Sequence, residues 1–151
     1  MDLIEVKHAI KTYQTGEDSF NALNDVSLTV EKGEFVAIVG TSGSGKSTLM
    51  SFLSKTRRSV NAVYFKGQDV DKISAERYAL EVSVLPQRQK MVADFRVEDV
   101  VLMGRFPYKK KFRDYSAEDK RISLKAMESV GIVDMARRKL SQMSGGEIQR
   151  V

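Results

Sequence analysis

Nine consecutive residues form the pattern in this sequence that points most directly to chemistry. Residues 40–48 read Gly-Thr-Ser-Gly-Ser-Gly-Lys-Ser-Thr and match G-x-x-x-x-G-K-[ST] between an apolar run and a predicted helix. Glycines let successive backbone N–H groups turn inward around phosphate oxygens, and the helix that follows adds its positive N-terminal end. Lys46 supplies a mobile positive charge to the β- and γ-phosphates, and the Ser47 hydroxyl is a ligand for Mg²⁺.

This loop predicts binding of nucleotide phosphates, and the alternative is a flexible Gly/Ser linker. Lys46 is the predicted catalytic residue of the loop and Ser47 its predicted metal ligand. The residues predicted to bind the nucleotide are Gly40, Thr41, Ser42, Gly43, Ser44, Gly45, Lys46, Ser47 and Thr48.

A second glycine pair stands near the end of the sequence. Residues 140–150 read Leu-Ser-Gln-Met-Ser-Gly-Gly-Glu-Ile-Gln-Arg, in which Ser144 and Glu147 have the spacing of a capping box that opens a helix. The two glycines leave N–H groups of that helix open to an anion. Taken alone, the pattern fits plain helix capping equally well.

Composition excludes several kinds of site. The 151 residues contain no Cys and a single His, His8, so disulfides, thiolate chemistry and multi-histidine metal sites are excluded. The formal net charge is +5, and the basic clusters at 57–58, 109–113 and 137–139 have no aromatic platform interleaved with them. We therefore expect solvated surface charge and no nucleic-acid partner. No apolar run reaches the roughly 18 residues of a membrane span, so we expect a cytoplasmic protein.

The elements that must position these residues are predicted from their periodicity. Residues 3–30 alternate apolar and polar side chains, which predicts two or three strands of an antiparallel ribbon. Continuous apolar runs predict strands buried on both faces at Phe35–Val39 and again at Val82–Leu85, where Pro86 ends the second run. Between them we predict a helix from Lys46 to about Lys55 and a short strand over 62–65.

From about Val97 the pattern becomes helical. Apolar residues there recur at spacings of three and four, and the charged segment 114–130 has the same helical period. Ser116 and Asp119 predict a capping box at its start, and Gly131 predicts its end. The sequence therefore predicts an α/β protein with a mixed first half and a helical second half.

Together, the phosphate loop and the stretch 140–150 resemble the ATP-binding-cassette (ABC) family, whose signature motif is L-S-G-G-[QE]-x-x-R, with Met143 here in place of the first Leu. The resemblance covers the whole chain. It implies a P-loop NTPase core with an N-terminal antiparallel β subdomain and an inserted α-helical subdomain. It divides the chain into a nucleotide-binding α/β portion at 1–90, a helical subdomain at 91–143 and the start of the signature helix at 144–151.

The resemblance also implies roles for particular residues. Tyr13 matches the aromatic residue that stacks on adenine, although a Tyr that packs within a strand is the alternative. Gln87 matches the glutamine that reaches Mg²⁺ and the attacking water, and it is thus a predicted catalytic and metal-binding residue. The signature residues implied to contact the γ-phosphate of ATP held by a second subunit are Ser144, Gly145, Gly146 and Glu147.

Two halves of the sequence resemble different branches of that family. Residues 93–108 look like the ATPases that drive uptake of iron–siderophore, haem and cobalamin complexes, whereas residues 22–50 look like the lipoprotein-release and macrolide-export branch. Recombination or divergence between Met50 and Asn61 would explain the difference. Arg96 stands where the family commonly has a capping Thr, and we expect that loss to cost about 1 kcal/mol unless Asp94 takes over the cap.

The resemblance finally implies partners and a limit on activity. The family continues past its signature helix with a strand that ends in a Mg²⁺-binding Asp, followed by the catalytic Glu and a switch His, and these 151 residues contain no such run. We therefore expect a chain in which the C-terminal part of the core is missing and which binds ATP·Mg²⁺ without hydrolysing it.

The expected partners of the parent protein are membrane permease subunits and a second copy in a head-to-tail dimer, on the inner face of the cell membrane. The iron-importer branch is the principal expectation. An exporter, a non-transport ABC ATPase and an inert fragment are the alternatives.

Overall fold

The computed structural model describes residues 2–85, 94–109 and 113–151. The chain divides into two compact units, Met1–Val84 and Leu85–Val151, and each is described by itself. The predicted boundaries at residues 90 and 143 stay a prediction. No helix in the described ranges is long and apolar enough to cross a lipid bilayer.

Unit 1 begins with the predicted antiparallel ribbon, which has two strands. Strand β1 (Asp2–Thr15) pairs with β2 (Asp18–Glu31) through a tight turn in which Gly16 has a φ of +65°. The alternation of the sequence places Val6, Ala9 and Leu23 on the buried face. A register shift follows Val6 on β1, and there His8 donates its backbone N–H to the Ser27 hydroxyl. The ribbon is therefore confirmed, with an irregularity that alternation alone does not predict.

Two short strands extend this ribbon into a four-stranded sheet of order β2-β1-β3-β4. Strand β3 (Val63–Phe65) pairs antiparallel with β1, and β4 (Gln68–Asp69) pairs antiparallel with β3. The turn between them is Lys66–Gly67, and both residues have positive φ, as two-residue hairpin turns require. The short strand and the turn that closes it are confirmed.

Two α-helices and a 3₁₀ turn at Val70–Lys72 complete the described part of unit 1. Helix α1 (Lys46–Leu53) buries Leu49 and Phe52, and α2 (Ala75–Ala79) buries Tyr78, whose hydroxyl donates to the Leu53 carbonyl at 2.7 Å. These helices close one hydrophobic core with the sheet. The fully buried members of that core are Val6, Ala9, Leu23, Leu49, Phe52, Ala62, Val63, Phe65, Val70, Ile73 and Tyr78.

The two predicted buried strands are wrong. Segment Phe35–Val39 has no regular secondary structure, and the Phe35 side chain is 94% exposed. Val82–Leu85 is also irregular, and Leu85 is 85% exposed. A strand is buried on both faces only when neighbouring strands and covering elements meet it, and the sheet of the described residues includes neither segment. An apolar run predicts a preference for burial but does not supply the neighbours.

Unit 2 is helical, as predicted. Its helices are α3 (Val97–Met103), α4 (Ala117–Ser129) and α5 (Gly145–Ile148). Short 3₁₀ turns occur at Phe106–Tyr108, Val133–Met135 and Leu140–Gln142. The core of this unit consists of Val97, Met127, Ile132, Leu140 and Met143.

Helix α4 has the start and the end that its sequence predicts. The Ser116 hydroxyl accepts from the Asp119 N–H at 3.1 Å, and the Asp119 carboxylate accepts from the Ser116 N–H at 3.1 Å. Arg105 donates to the same carboxylate at 3.0 Å, and hydrogen bonds from Ser116 followed by Arg105 lower the pKa of Asp119. Gly131 ends the helix in the left-handed region with a φ of +68°. The capping box and the stop are confirmed.

Helix α3 is capped in a way that the sequence does not predict. Arg96 is its N-cap residue and makes no side-chain cap, and Asp94 binds elsewhere, to the Ser141 N–H and the Lys139 ammonium. Backbone carbonyls of segment 136–138 accept the first N–H groups of α3 instead. The Val97 N–H donates to the Arg138 carbonyl at 3.0 Å, and the Glu98 N–H donates to the Ala136 carbonyl at 2.9 Å. Asp94 therefore does not act as the substitute cap that we considered, and segment 136–138 accepts the first N–H groups of the helix in its place.

Candidate functional site

The phosphate loop is pinned to strand β2 at Gly45. This residue has a φ of +85° and is the N-cap of α1. A Cβ atom at this position would lie 2.1 Å from the carbonyl oxygen of Ala22 and 3.1 Å from a methyl carbon of Leu23. Glycine is therefore required here for two reasons: the conformation disfavours any L side chain, and the backbone of β2 fills the space that a side chain would need. The sequence pattern predicts the glycine but not its close contact with β2.

Lys46 folds back over the loop that precedes it. Its Nζ atom donates to the Gly40 carbonyl at 2.8 Å, to the Thr41 carbonyl at 2.6 Å and to the Ser44 hydroxyl at 3.1 Å. An ammonium has three N–H donors, and the loop supplies an acceptor for each of them. The loop thereby holds a cation among its own oxygens. Phosphate oxygens are stronger acceptors than neutral carbonyls and can replace them as partners of Nζ.

The first backbone N–H groups of α1 have no side-chain acceptor. No side chain caps this end, and no acidic residue occupies its first turn. The first N–H groups of a helix lack intrahelical acceptors, and the helix dipole favours an anion beside them. Ser47 lies exposed on the first turn, followed by the half-buried Thr48. This end of the helix is therefore suited to phosphate.

The middle of the loop is exposed, so a nucleotide phosphate could reach it. Ser42 and Gly43 are exposed, and Gly43 has a φ of +83°. The Ser44 N–H donates to the Thr41 carbonyl at 3.3 Å, so the loop closes on itself as a turn. A Cβ atom on Gly40 would lie 2.6 Å from the Ser44 hydroxyl oxygen, which shows how close the two ends of the turn are.

These residues fit a nucleotide with its magnesium ion. Lys46 and the N–H groups of 43–48 would hold the phosphates, and the Ser47 hydroxyl would be the one protein ligand to Mg²⁺ in this loop. Mg²⁺ typically keeps several waters and takes its other oxygens from substrate phosphates, so one protein hydroxyl is compatible with such a site. When bound, the ion would supply charge neutralisation to the β- and γ-oxygens.

Tyr13 lies in an aromatic and basic surface cluster of unit 1. Its ring stacks on Phe20, the residue opposite it on β2, with ring centroids 5.6 Å apart. The Arg57 guanidinium donates to the Tyr13 hydroxyl, and the Lys11 ammonium lies 5.3 Å from the ring centroid. The ring is half-buried. Sequence reasoning missed Phe20 and Arg57, although the pairing of Tyr13 with Phe20 follows from the register of a two-residue hairpin.

The signature stretch begins helix α5 with the predicted capping box. The Glu147 carboxylate accepts from the Ser144 N–H at 2.7 Å and from the Ser144 hydroxyl at 2.8 Å, and the Ser144 oxygen accepts from the Glu147 N–H at 3.4 Å. These bonds from Ser144, with the positive charge of Arg138 as a smaller cause, lower the pKa of Glu147. A Cβ atom on Gly145 or Gly146 would meet nothing within 4 Å.

Arg138 is the residue at this end of unit 2 that sequence reasoning missed. Its guanidinium donates to Glu147 at 3.2 Å and to the Gln142 carbonyl at 2.6 Å. Its neighbour Arg137 is exposed. Arg138 and Glu147 are nine positions apart with a 3₁₀ turn between them, so their spacing in the sequence does not predict that they meet.

The structure thus assembles two of the predicted groups of residues. Gly40, Thr41, Ser44 and Lys46 meet in the phosphate loop of unit 1, and Ser144 meets Glu147 in unit 2. Tyr13 belongs to unit 1 and contacts Phe20 and Arg57. Gln87 lies outside the described residues.

Comparison with known proteins identifies curated relatives. The chain is 34% identical over 130 residues to the iron(3+)-hydroxamate import ATP-binding protein FhuC of Bacillus subtilis, which covers 85% of this chain and 48% of FhuC. It is 37% identical over 155 residues to the macrolide export ATP-binding/permease protein MacB of Chlorobaculum tepidum, which covers 99% of this chain and 23% of MacB. The chain therefore spans about half of FhuC and about a quarter of MacB.

Solved structures agree on the fold. The dimeric structure of an ATP-binding cassette in a post-hydrolysis state bound to ADP and Pi superposes with a TM-score of 0.82 at 25% identity, over 97% of this chain and 66% of that one. The predicted P-loop NTPase fold is thereby confirmed, for the part of the cassette that the chain spans. The profile of the ABC transporter family matches residues 23–151, and the chain accordingly belongs to that family as an ATPase domain.

Proposed function

We propose that this chain is the ATP-binding part of an ABC transporter and that it holds ATP·Mg²⁺ through residues 40–48. The arrangement of Lys46 carries the proposal. Its ammonium rests on two carbonyls and a hydroxyl of the loop, beside a helix start without a side-chain cap. An anion bound there would gain both the mobile charge and the helix end.

We assign the remaining nucleotide contacts as part of the same proposal. The Tyr13 ring stacks on adenine, and Ser47 together with Gln87 binds Mg²⁺. The exposed start of α1 supports the assignment of Ser47. The Tyr13 ring lies in an aromatic and basic surface cluster, stacked on Phe20 with Lys11 and Arg57 over it, and such surroundings support a stacking role toward an anionic nucleotide. The division into 1–90, 91–143 and 144–151 belongs to this proposal too.

The parent protein would act as a head-to-tail dimer on membrane permeases at the inner face of the cell membrane. In that dimer Ser144, Gly145, Gly146 and Glu147 of one copy face the γ-phosphate held by the other. The relatives support the permease partners, since FhuC is an import ATP-binding protein and MacB is an ATP-binding/permease protein. Closure around ATP would then be the step that moves the permeases.

Import of an iron complex is the transport activity that we propose. The resemblance of residues 93–108 to importers and the match to FhuC support it. A second candidate is export, which the resemblance of residues 22–50 and the match to MacB favour. The permease that is encoded beside this chain discriminates between the two, because the permease and its binding protein select the cargo.

We further propose that these 151 residues bind ATP but do not hydrolyse it appreciably. The sequence contains no apolar run that ends in Asp-Glu, so no carboxylate stands in the water-activating position that the family uses. Turnover of order 1 s⁻¹ or more that disappears in the Lys46→Ala variant would contradict this.

Calorimetry with the Lys46→Ala variant tests nucleotide binding. We expect the variant to lose most of its affinity for ATP·Mg²⁺, by at least about tenfold, because a charge-assisted contact to phosphate is removed. Lys32→Ala is the matched control, since Lys32 is an exposed lysine of the same unit in the turn after β2. Circular dichroism confirms that each variant is folded. Equal affinities of wild type and Lys46→Ala would overturn the proposal.

A further inference from the structure

The guanidinium of Arg138 ties together two parts of the signature region. One nitrogen donates to the Gln142 carbonyl at 2.6 Å, in the 3₁₀ turn that precedes α5, and another donates to the Glu147 carboxylate at 3.2 Å, in the first turn of α5. The side chains of Arg138 and Glu147 are 42% and 21% exposed, so water screens this ion pair only partly. Arg138 and Ser144 thus hold the carboxylate of Glu147 from its two sides.

The two oxygens of that carboxylate have separate partners. Oε1 accepts from Arg138, while Oε2 accepts both the N–H and the hydroxyl proton of Ser144. The position of the Ser144 hydroxyl therefore depends on the orientation of Glu147, which in turn depends on Arg138. Arg138 itself lies outside the signature motif, and its planar guanidinium can donate to two acceptors at once.

Charge gives Arg138 a second effect on the same hydroxyl. Glu147 places a negative charge within hydrogen-bonding distance of Ser144, and any anion that approaches this hydroxyl meets that charge. Arg138 compensates it directly. Lys139, the next residue along the chain, is paired with Asp94 at 3.1 Å. Without Arg138 the carboxylate would lose the cation that it is paired with, and like charges brought together oppose binding.

We propose that Arg138 is a positioning residue that prepares Ser144 for a polyphosphate held by a second copy of this chain. The inference rests on the proposed function, because the polyphosphate is the ATP bound in the phosphate loop of that second copy. Arg138 acts in two ways: it orients Glu147, and it neutralises the negative charge that Glu147 would otherwise present to the incoming phosphate.

Four variants separate these effects in the full chain. Arg138→Gln removes the charge but keeps an N–H donor, and Arg138→Lys keeps the charge but loses the fork. Arg137→Ala is the matched control, because Arg137 is the exposed neighbouring arginine. The double variant Arg138→Gln with Glu147→Gln removes both charges. Calorimetry first establishes that each variant binds ATP·Mg²⁺, and sedimentation then measures its ATP-dependent self-association.

We expect Arg138→Gln to bind ATP like wild type and to weaken ATP-dependent association by about tenfold or more. Arg138→Lys should recover part of the loss, and the double variant should associate better than Arg138→Gln alone, which shows coupling through charge. A merely structural role of Arg138 would not be rescued when the charge of Glu147 is removed as well. In the NMR spectrum of the single copy, the Ser144 amide signal should move in Arg138→Gln and stay in place in Arg137→Ala.

Two results overturn the inference while leaving the proposed binding of ATP by this chain intact. The first is ATP-dependent association of Arg138→Gln equal to that of wild type, and the second is wild type that binds ATP without associating. If Arg138→Gln fails to fold, Arg138→Lys with an unchanged Ser144 signal and full association counts against the role of the fork. Failure of the proposed function has a different signature, namely wild type that does not bind ATP at all.

Discussion

Helices α1 and α5 both begin at a Gly/Ser stretch, yet their starts are built in opposite ways. Helix α1 begins at Gly45 in the left-handed region, with no side-chain cap and no acid in its first turn. Helix α5 begins at Ser144, with both bonds of a capping box in place and Glu147 in its first turn. The first N–H groups of α1 have no side-chain acceptor, so they are available to an incoming anion. At the start of α5, the Ser144 N–H already donates to the carboxylate of Glu147.

This difference determines which partner an anion would have to displace at each helix start. At α1 the group that moves is a cation, because Lys46 can exchange neutral carbonyls for phosphate oxygens. At α5 the partner already present is an anion, so Ser144 can donate to a phosphate only by giving up its bond to Glu147. Under the proposed function, the first region would bind an anion within a single chain, and the second would have to exchange a carboxylate for a phosphate.

The largest effect we expect comes from Gly45→Ala. Ala would have to adopt a φ of +85° with its Cβ 2.1 Å from the Ala22 carbonyl oxygen. We expect the free energy of unfolding of unit 1 to fall by more than about 3 kcal/mol, with loss of ATP binding. Urea denaturation monitored by circular dichroism measures the change.

Gly145→Ala is the control for this substitution at the other helix. Its Cβ would lie in open space and its φ is not positive. We expect stability to change by no more than about 0.5 kcal/mol. If the two alanines had equal effects, the close contact between the phosphate loop and β2 would not constrain position 45.

Acid should weaken the start of α5 and leave that of α1 unaffected. The pKa of Glu147 in the folded chain lies below its ordinary value near 4.5, so its contribution to stability is present above that value. The contribution is lost as the pH falls through the lowered pKa. Helix α1 has no acid in its first turn to titrate.

Hydrogen exchange of the amides of 145–148, corrected for intrinsic rates, measures this loss between pH 5 and pH 2. Asp94, Glu118 and Asp119 of the same unit also have lowered pKa values and add their own pH dependence. Glu147→Gln is therefore the control, and it should remove the local part of the pH dependence. A pH dependence at α5 that Glu147→Gln leaves unchanged would mean that another carboxylate controls this helix.

The smallest effect we expect is that of Arg96→Thr at the start of α3. A Thr there offers a capping oxygen, but the N–H groups of Val97 and Glu98 already donate to backbone carbonyls. We expect a gain in the free energy of unfolding below about 0.5 kcal/mol. Ser116→Ala at α4 is the contrast, because it removes a side-chain cap that is present and should cost about 1 kcal/mol. A gain near 1 kcal/mol from Arg96→Thr would contradict backbone capping of α3.

Local features of the fold could be predicted from the sequence. The capping boxes at Ser116 and Ser144, the turn at Lys66–Gly67 and the stop at Gly131 depend on residues within three or four positions of one another. Their geometry is fixed by side-chain and backbone chemistry over one helical turn. The β1–β2 ribbon is similar, because a tight turn sets its register.

Features that depend on distant neighbours could not be predicted. The apolar runs at Phe35–Val39 and Val82–Leu85 indicate a preference for burial, but burial requires partners from elsewhere in the chain. The cap of α3 comes from segment 136–138, about forty residues away. Around the candidate site, the loop 40–48 could be predicted from its motif, whereas the Ala22 contact, the Phe20 and Arg57 neighbours of Tyr13, and Arg138 depend on which elements meet.

One consequence of the α3 cap is mechanical. The carbonyl of Arg138 accepts the Val97 N–H at the start of α3, while its guanidinium holds Glu147 in α5. A single residue therefore links the two helices, through a backbone hydrogen bond to α3 and a side-chain ion pair to α5. A shift of α3 would then pull on segment 136–138 and, through the Arg138 side chain, on the first turn of the signature helix.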